Sequence, residues 1–87
     1  MSETVSRVLF FASLRDAAET DELTLTLDAP TSISGLLDAL AAELPSTAMA
    51  ELRAENVRVA VNQTFVTAAE LIQPGDEVAF LPPVTGG

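Results

Sequence analysis

The sequence predicts an α+β roll in which a mixed sheet packs against one main helix. Three observations carry that expectation. Only one stretch, from Ile33 to Leu44, holds apolar residues at helical spacing over several turns. Short β-prone segments lie on both sides of it. The first and last of these, Thr4–Ala12 and Asp76–Leu81, are apolar on both faces, as strands in the middle of a sheet are. One helix cannot cover two faces of a sheet, so it must cover one.

In the first segment Val8, Phe10 and Ala12 fall on one side, and Leu9 and Phe11 on the other. Ser13 to Asp21 reads as a polar connection that includes Arg15. Glu22–Asp28 alternates most cleanly, with Leu23, Leu25 and Leu27 inward and Thr24 and Thr26 outward; with the first strand it forms a hairpin closed by a long loop. Pro30 breaks this strand, and Thr31 or Ser32 caps the helix. The helix stripe is Ile33, Leu36, Leu37, Leu40, Ala41 and Leu44, and it reads as core rather than as a partner-binding face. Gly35 should weaken the helix by about 1 kcal/mol relative to alanine. Pro45 ends it. A second short helix is expected over Ser46–Arg53, with Ala48, Met49 and Leu52 inward.

Val57, Val59 and Val61 make a further inward face, with Arg58, Ala60 and Asn62 opposite. Asn62-Gln63 is a turn, since asparagine tolerates positive φ, and Thr64–Thr67 returns as a short strand. Pro74-Gly75 fits the central positions of a type II turn. In the last strand Val78 and Phe80 share one face, Ala79 and Leu81 the other. With the first and last strands side by side in the middle, this order is that of the β-grasp, or ubiquitin-like, fold.

The expected domain is residues 1–81, and residues 82–87 form an extended C-terminal tail. Pro82 and Pro83 have no N–H for sheet pairing and hold the chain near polyproline II. Val84 and Thr85 follow, then Gly86 and Gly87, the narrowest terminus a chain can have. From Pro82 onward the reach is roughly 20 Å.

The 87-residue chain allows one small domain, which buries only ~60% of its unfolded surface. Without cysteine or histidine it lacks a catalytic thiol, the usual neutral-pH acid–base group and ordinary zinc ligands. No Gly-rich phosphate loop is present. The reactive groups that remain are carboxylates, hydroxyls and the termini, so the chain is not expected to catalyse alone. The net charge of −9, with four arginines and no lysine, argues against nucleic acid and against anionic membranes as partners. Met1–Arg7 does not read as a signal peptide and no apolar run reaches spanning length, which leaves a cytoplasmic location.

The ending Phe80-Leu81-Pro82-Pro83-Val84-Thr85-Gly86-Gly87 resembles that of the sulfur-carrier small subunit of molybdopterin synthase. Val8–Ala12 with Leu14-Arg15, Val61–Val66 and Pro74–Val78 resemble other segments of that family; Leu44–Asn56 does not. The resemblance implies that Gly87, with Gly86, is the working end. A carboxylate is a poor electrophile, with a pKa near ~3.5. An adenylating enzyme related to the ubiquitin-activating enzymes would use Mg-ATP to convert it to an acyl-adenylate, and a sulfur donor would then make a thiocarboxylate. The charged tail would enter the large subunit of molybdopterin synthase, in a heterotetramer of two small and two large subunits. There it would deliver sulfur to a pyranopterin. No cofactor would be bound by this chain itself.

The partners' grip is expected on Phe11, Arg15, Phe65 and Leu81 and along Pro82, Pro83, Val84 and Thr85. The phase argument places Phe11 and Leu81 away from the helix if Phe10 and Phe80 face it. Three other readings stay open: a sulfur carrier for the thiazole of thiamine, a ubiquitin-like modifier, and a plain interaction module with an idle tail.

Overall fold

A computed structural model describes residues 5–67 and 69–83. Ten elements follow in order: β1 (Val5–Phe10), α1 (Ser13–Ala18), β2 (Glu22–Thr26), β3 (Thr31–Ser32), α2 (Ile33–Leu40), α3 (Ser46–Leu52), β4 (Arg58–Val61), β5 (Thr64–Phe65), β6 (Leu71–Ile72) and β7 (Glu77–Leu81). Five strands form the main sheet in the order β2-β1-β7-β4-β5, and β3 with β6 forms a small separate one. β1 and β7 run parallel, with Val8 opposite Val78 and Phe10 opposite Phe80. The other pairs in the sheet are antiparallel. The first and last strands are neighbours, and β7 is central. This is the ubiquitin-like β-grasp.

The side-chain period of two decides the rest. Val8, Phe10, Val78 and Phe80 are buried beneath the helices, joined by Leu36, Leu37 and Leu40 of α2 and by Ala48, Met49 and Leu52 of α3. The rings of Phe10 and Phe80 stack with centroids 6.0 Å apart. Such a pair adds about 0.5–1.5 kcal/mol to what burial of the two rings provides. Leu23 and Leu25 pack against this core from β2, and Leu27 beyond it is buried.

Caps and turns fix the connections. Ser32 is the cap of α2: its Oγ accepts from Gly35 N–H at 3.0 Å. Asn62 and Gln63 both have positive φ (51° and 70°) between the paired residues Val61 and Thr64. That is the mirror-image turn whose twist suits a two-residue hairpin. Gly75 sits at φ 93°, and Asp76 N–H donates to Gln73 O, closing the turn at Pro74-Gly75. Asn62 ties the two turns together. Its side-chain carbonyl accepts from Glu77 N–H and its amide donates to Asp76, each at 3.0 Å. The buried Ser6 hydroxyl accepts from Gly75 N–H.

Four expectations need correction. Ser13–Asp21 is not a mere polar connection: Ser13–Ala18 is helical and buries Leu14 and Ala18. Ala12 is not in the first strand's core face; it is exposed, at φ 53° and ψ −127°. The main helix stops at Leu40 and passes through turns to Pro45, so it is shorter than expected; α3 falls where the second short helix was expected, and α1 adds a third. Leu71–Ile72, read as no element at all, pairs with Thr31–Ser32 and buries Ile72 completely.

Candidate functional site

The face of the sheet turned away from the helices is not polar. Three rows of side chains cross it. The lowest holds Arg7 and Glu77, which are register partners; the Arg7 guanidinium reaches Glu22 at 3.2 Å and Glu77 at 3.5 Å. The middle row is Leu9, Ala79, Ala60 and Phe65, aligned by pairing between β1 and β7, β7 and β4, and β4 and β5. The top row is Phe11, Leu81 and Arg58. Arg58 lies opposite Leu81, and Phe11 N–H donates to Phe80 O at 3.2 Å. All the residues of these rows but Arg58, together with Gln63, line a shallow concavity of about 460 Å³, and Arg58 stands at its rim over Phe65.

Its walls are the two exposed phenylalanines, Phe11 (45% exposed) and Phe65 (56%). Small residues make the floor: a larger side chain at Ala60 or Ala79 would fill the concavity. Exposed aromatics clustered on one face normally mark an interface.

Local structure holds the walls in place. Phe11 is fastened at both backbone groups, since its N–H bonds Phe80 and its C=O accepts from Leu14 N–H at 3.0 Å. The positive φ of Ala12 then turns the chain sharply into α1. That conformation is costly for a residue with a Cβ. Phe65 follows the tight turn and pairs with Ala60. The Arg58 guanidinium lies over its ring, 4.5 Å from the centroid.

Of the residues expected to contact partners, Phe11, Phe65 and Leu81 share this face. Arg15 lies round the edge, exposed on α1 beside a smaller hollow shared with Leu9, Phe11 and Glu22. Pro82 and Pro83 continue from β7 along a groove of about 610 Å³ between α1 and α3, lined also by Leu14, Ala50 and Val57. Val84, Thr85, Gly86 and Gly87 lie outside the described residues. Reading the sequence did not single out Arg58 or the Ala60–Ala79 floor. Alternation put them on this face, but only strand register brings Arg58 to Leu81 and Phe65. Among the described residues no group of His, Cys, Asp or Glu side chains could hold a metal ion, and no helix is long and apolar enough to cross a membrane.

A β-grasp domain of this topology, with an exposed apolar sheet face beside the end of β7, falls in the class of small ubiquitin-like proteins. The chain matches the ThiS family over residues 8–87 and belongs to it. It is 43% identical to the molybdopterin synthase sulfur carrier subunit of Escherichia coli K12, covering 93% of this chain and 98% of that one. The protein of the same name from Haemophilus influenzae is 39% identical, covering 92% and 96%. Among solved structures, SAMP1 from Haloferax volcanii superposes with a TM-score of 0.77 at 26% identity, over 95% of this chain and 99% of that one. Urm1 from Trypanosoma brucei, 23% identical with a TM-score of 0.70 and both chains wholly covered, shares the fold.

Proposed function

We propose that this chain is the sulfur carrier of molybdopterin synthesis and acts through the carboxylate of Gly87. The observation that carries the reading is the 43% identity, over nearly the whole length of both chains, to a protein named as the sulfur carrier subunit of that synthase. The apolar sheet face at the end of β7 supports it, because a carrier must be gripped near the end that is loaded.

The chemistry follows from the terminus. The carboxylate oxygen attacks the α-phosphorus of Mg-ATP on an adenylating enzyme, expelling pyrophosphate. A sulfur nucleophile then displaces AMP from the acyl-adenylate: hydrosulfide gives the thiocarboxylate directly, and a persulfide gives an acyl disulfide that a thiolate cleaves, leaving as a disulfide with the donor and freeing the thiocarboxylate. Its sulfur is anionic near neutral pH and attacks the pterin precursor, and water then cleaves the acyl–sulfur bond, leaving sulfur on the pterin and returning the Gly87 carboxylate. In this reading the β-grasp domain (residues 1–81) is the handle and residues 82–87 the delivery arm. The synthase large subunit and the adenylating enzyme are the partners, and the cytoplasm is the place.

Intact mass is the test. Protein isolated from cells that contain the adenylating enzyme and a sulfur donor should gain the mass difference between sulfur and oxygen. A variant with one residue appended after Gly87 should not gain it and should not support molybdopterin formation. Activity of the extended protein without trimming would end the carrier reading. The likeness to SAMP1, a small archaeal modifier protein in a second structure from the same organism, favours one other reading, attachment to other proteins. Ladders of higher-mass conjugates would mark it.

A further inference from the structure

The apolar face has a polarity of charge. Arg7 at its far end is neutralised by two carboxylates, and Arg53 on the helical side by Asp38 at 2.9 Å. Arg15 on α1 also has no carboxylate within 4 Å among the described residues, but it lies round the edge of the face; Arg58 lies on the face, at the end where β7 finishes. Among the described residues no carboxylate lies within 4 Å of it and its guanidinium makes no hydrogen bond. Instead it rests over the Phe65 ring, in the top row with Phe11 and Leu81.

A ring face holds the cation but supplies no ordinary acceptor for its five N–H donors. The contact restrains a long side chain that would otherwise lose entropy on binding, and among the described residues it leaves the donor fork unused. Guanidinium is also weakly hydrated for a cation and matches a carboxylate with two parallel bonds.

We propose that Arg58 is a specificity residue of the docking face. On this proposal the synthase large subunit seats an apolar surface on Phe11, Phe65 and Leu81 and presents a carboxylate to Arg58 beside the entry of the tail. This rests on the docking role of that face. The chemistry of the fit is selective because the chain is otherwise acidic, at −9. Its long-range field attracts basic surfaces, so on this face an acid would be accepted only beside Arg58, Arg7 being already matched by two carboxylates. A charge that opposes the general field in this way fixes register and excludes near-miss partners.

The test measures binding of the full chain to the purified large subunit by calorimetry and stopped flow at two salt concentrations, with melting curves to confirm folding. Arg58→Met keeps an unbranched stem on the ring and removes the charge. It should weaken binding about five- to tenfold and flatten the salt dependence. Arg58→Glu should weaken it further, and Arg58→Lys should restore part of the loss. Phe65→Ala is the control for the face itself. If Phe65→Ala weakens binding about tenfold while Arg58→Met stays within twofold of the parent with the same salt dependence, Arg58 has no such role and the docking face stands. If Phe65→Ala binds as the parent does, the docking face is wrong and the role of Arg58 falls with it.

Discussion

Two phenylalanines on opposite faces of one sheet give a sharp test of how this molecule divides its apolar residues. Phe10 is 2% exposed, stacked on Phe80 in the core; Phe65 is 56% exposed. Truncating a buried phenylalanine costs about 3–5 kcal/mol. A domain of this size holds roughly 4–13 kcal/mol in all, so Phe10→Ala should remove a large share of its stability. At 4–8 °C per kcal/mol, the melting temperature should fall by roughly 15 °C or more, and the protein should be partly unfolded well below the parent's midpoint. Phe65→Ala loses only the half-covered ring and its contact with Arg58, worth together about 1 kcal/mol or less, or a few degrees. Its binding to the large subunit should nevertheless fall by more than ~1 kcal/mol. Thermal unfolding by circular dichroism, followed by calorimetric titration of each variant while folded, checks both. Equal melting losses for the two variants would refute the assignment of faces. A Phe65→Ala protein that melts and binds like the parent would refute the interface.

Gly86→Val should leave the melting temperature of the domain within about 1 °C of the parent but slow adenylation, because a β-branched side chain widens and stiffens the arm; equal adenylation rates would argue against close enclosure of the tail. Asn62→Ala removes two side-chain hydrogen bonds and places a Cβ residue without local compensation at φ 51°, so it should cost about 2–3 kcal/mol in denaturant unfolding. A loss under 0.5 kcal/mol, a figure below the usual worth of even one such bond, would show that the turns hold without it. Gly35→Ala should fail to give the ~1 kcal/mol that helix propensity promises, and a gain of that size in chemical denaturation would contradict the packing described next.

Gly35 illustrates where sequence reasoning stops. Propensity marks it as a weak point in a helix. In the folded chain an added Cβ would run into Thr31 Oγ1, so the glycine allows the strand residue Thr31 and the first turn of α2 to lie close together. The strands with clear alternation were legible, because Leu23, Leu25 and Leu27 or Val78 and Phe80 follow a period that only a sheet satisfies. Ser46–Leu52 was legible for the helical period. Ser13–Ala18 was not, since six residues with one large apolar side chain carry too little period to separate helix from loop. Leu71–Ile72 was invisible for another reason: its partner is Thr31–Ser32, forty residues away in the chain. At the candidate site, phase alone put Phe11 and Leu81 on the outer face. It could not place Arg58 over Phe65, which depends on a hairpin register set by two positive-φ residues.

The position of β7 has a consequence for the order in which this protein is made. Among the described strands β7 is the last to be synthesised, yet it lies between β1 and β4. Until it emerges, the hairpin of β1 with β2 and the hairpin of β4 with β5 have nothing to join them, and the core lacks Val78 and Phe80. The outer face with Phe11, Ala79 and Leu81 is therefore assembled only when this strand has been made. A chain cut short before β7 lacks Ala79 and Leu81 and so has no such face to offer. On the carrier reading proposed above, a partner that grips this face would accept only chains whose sheet has closed.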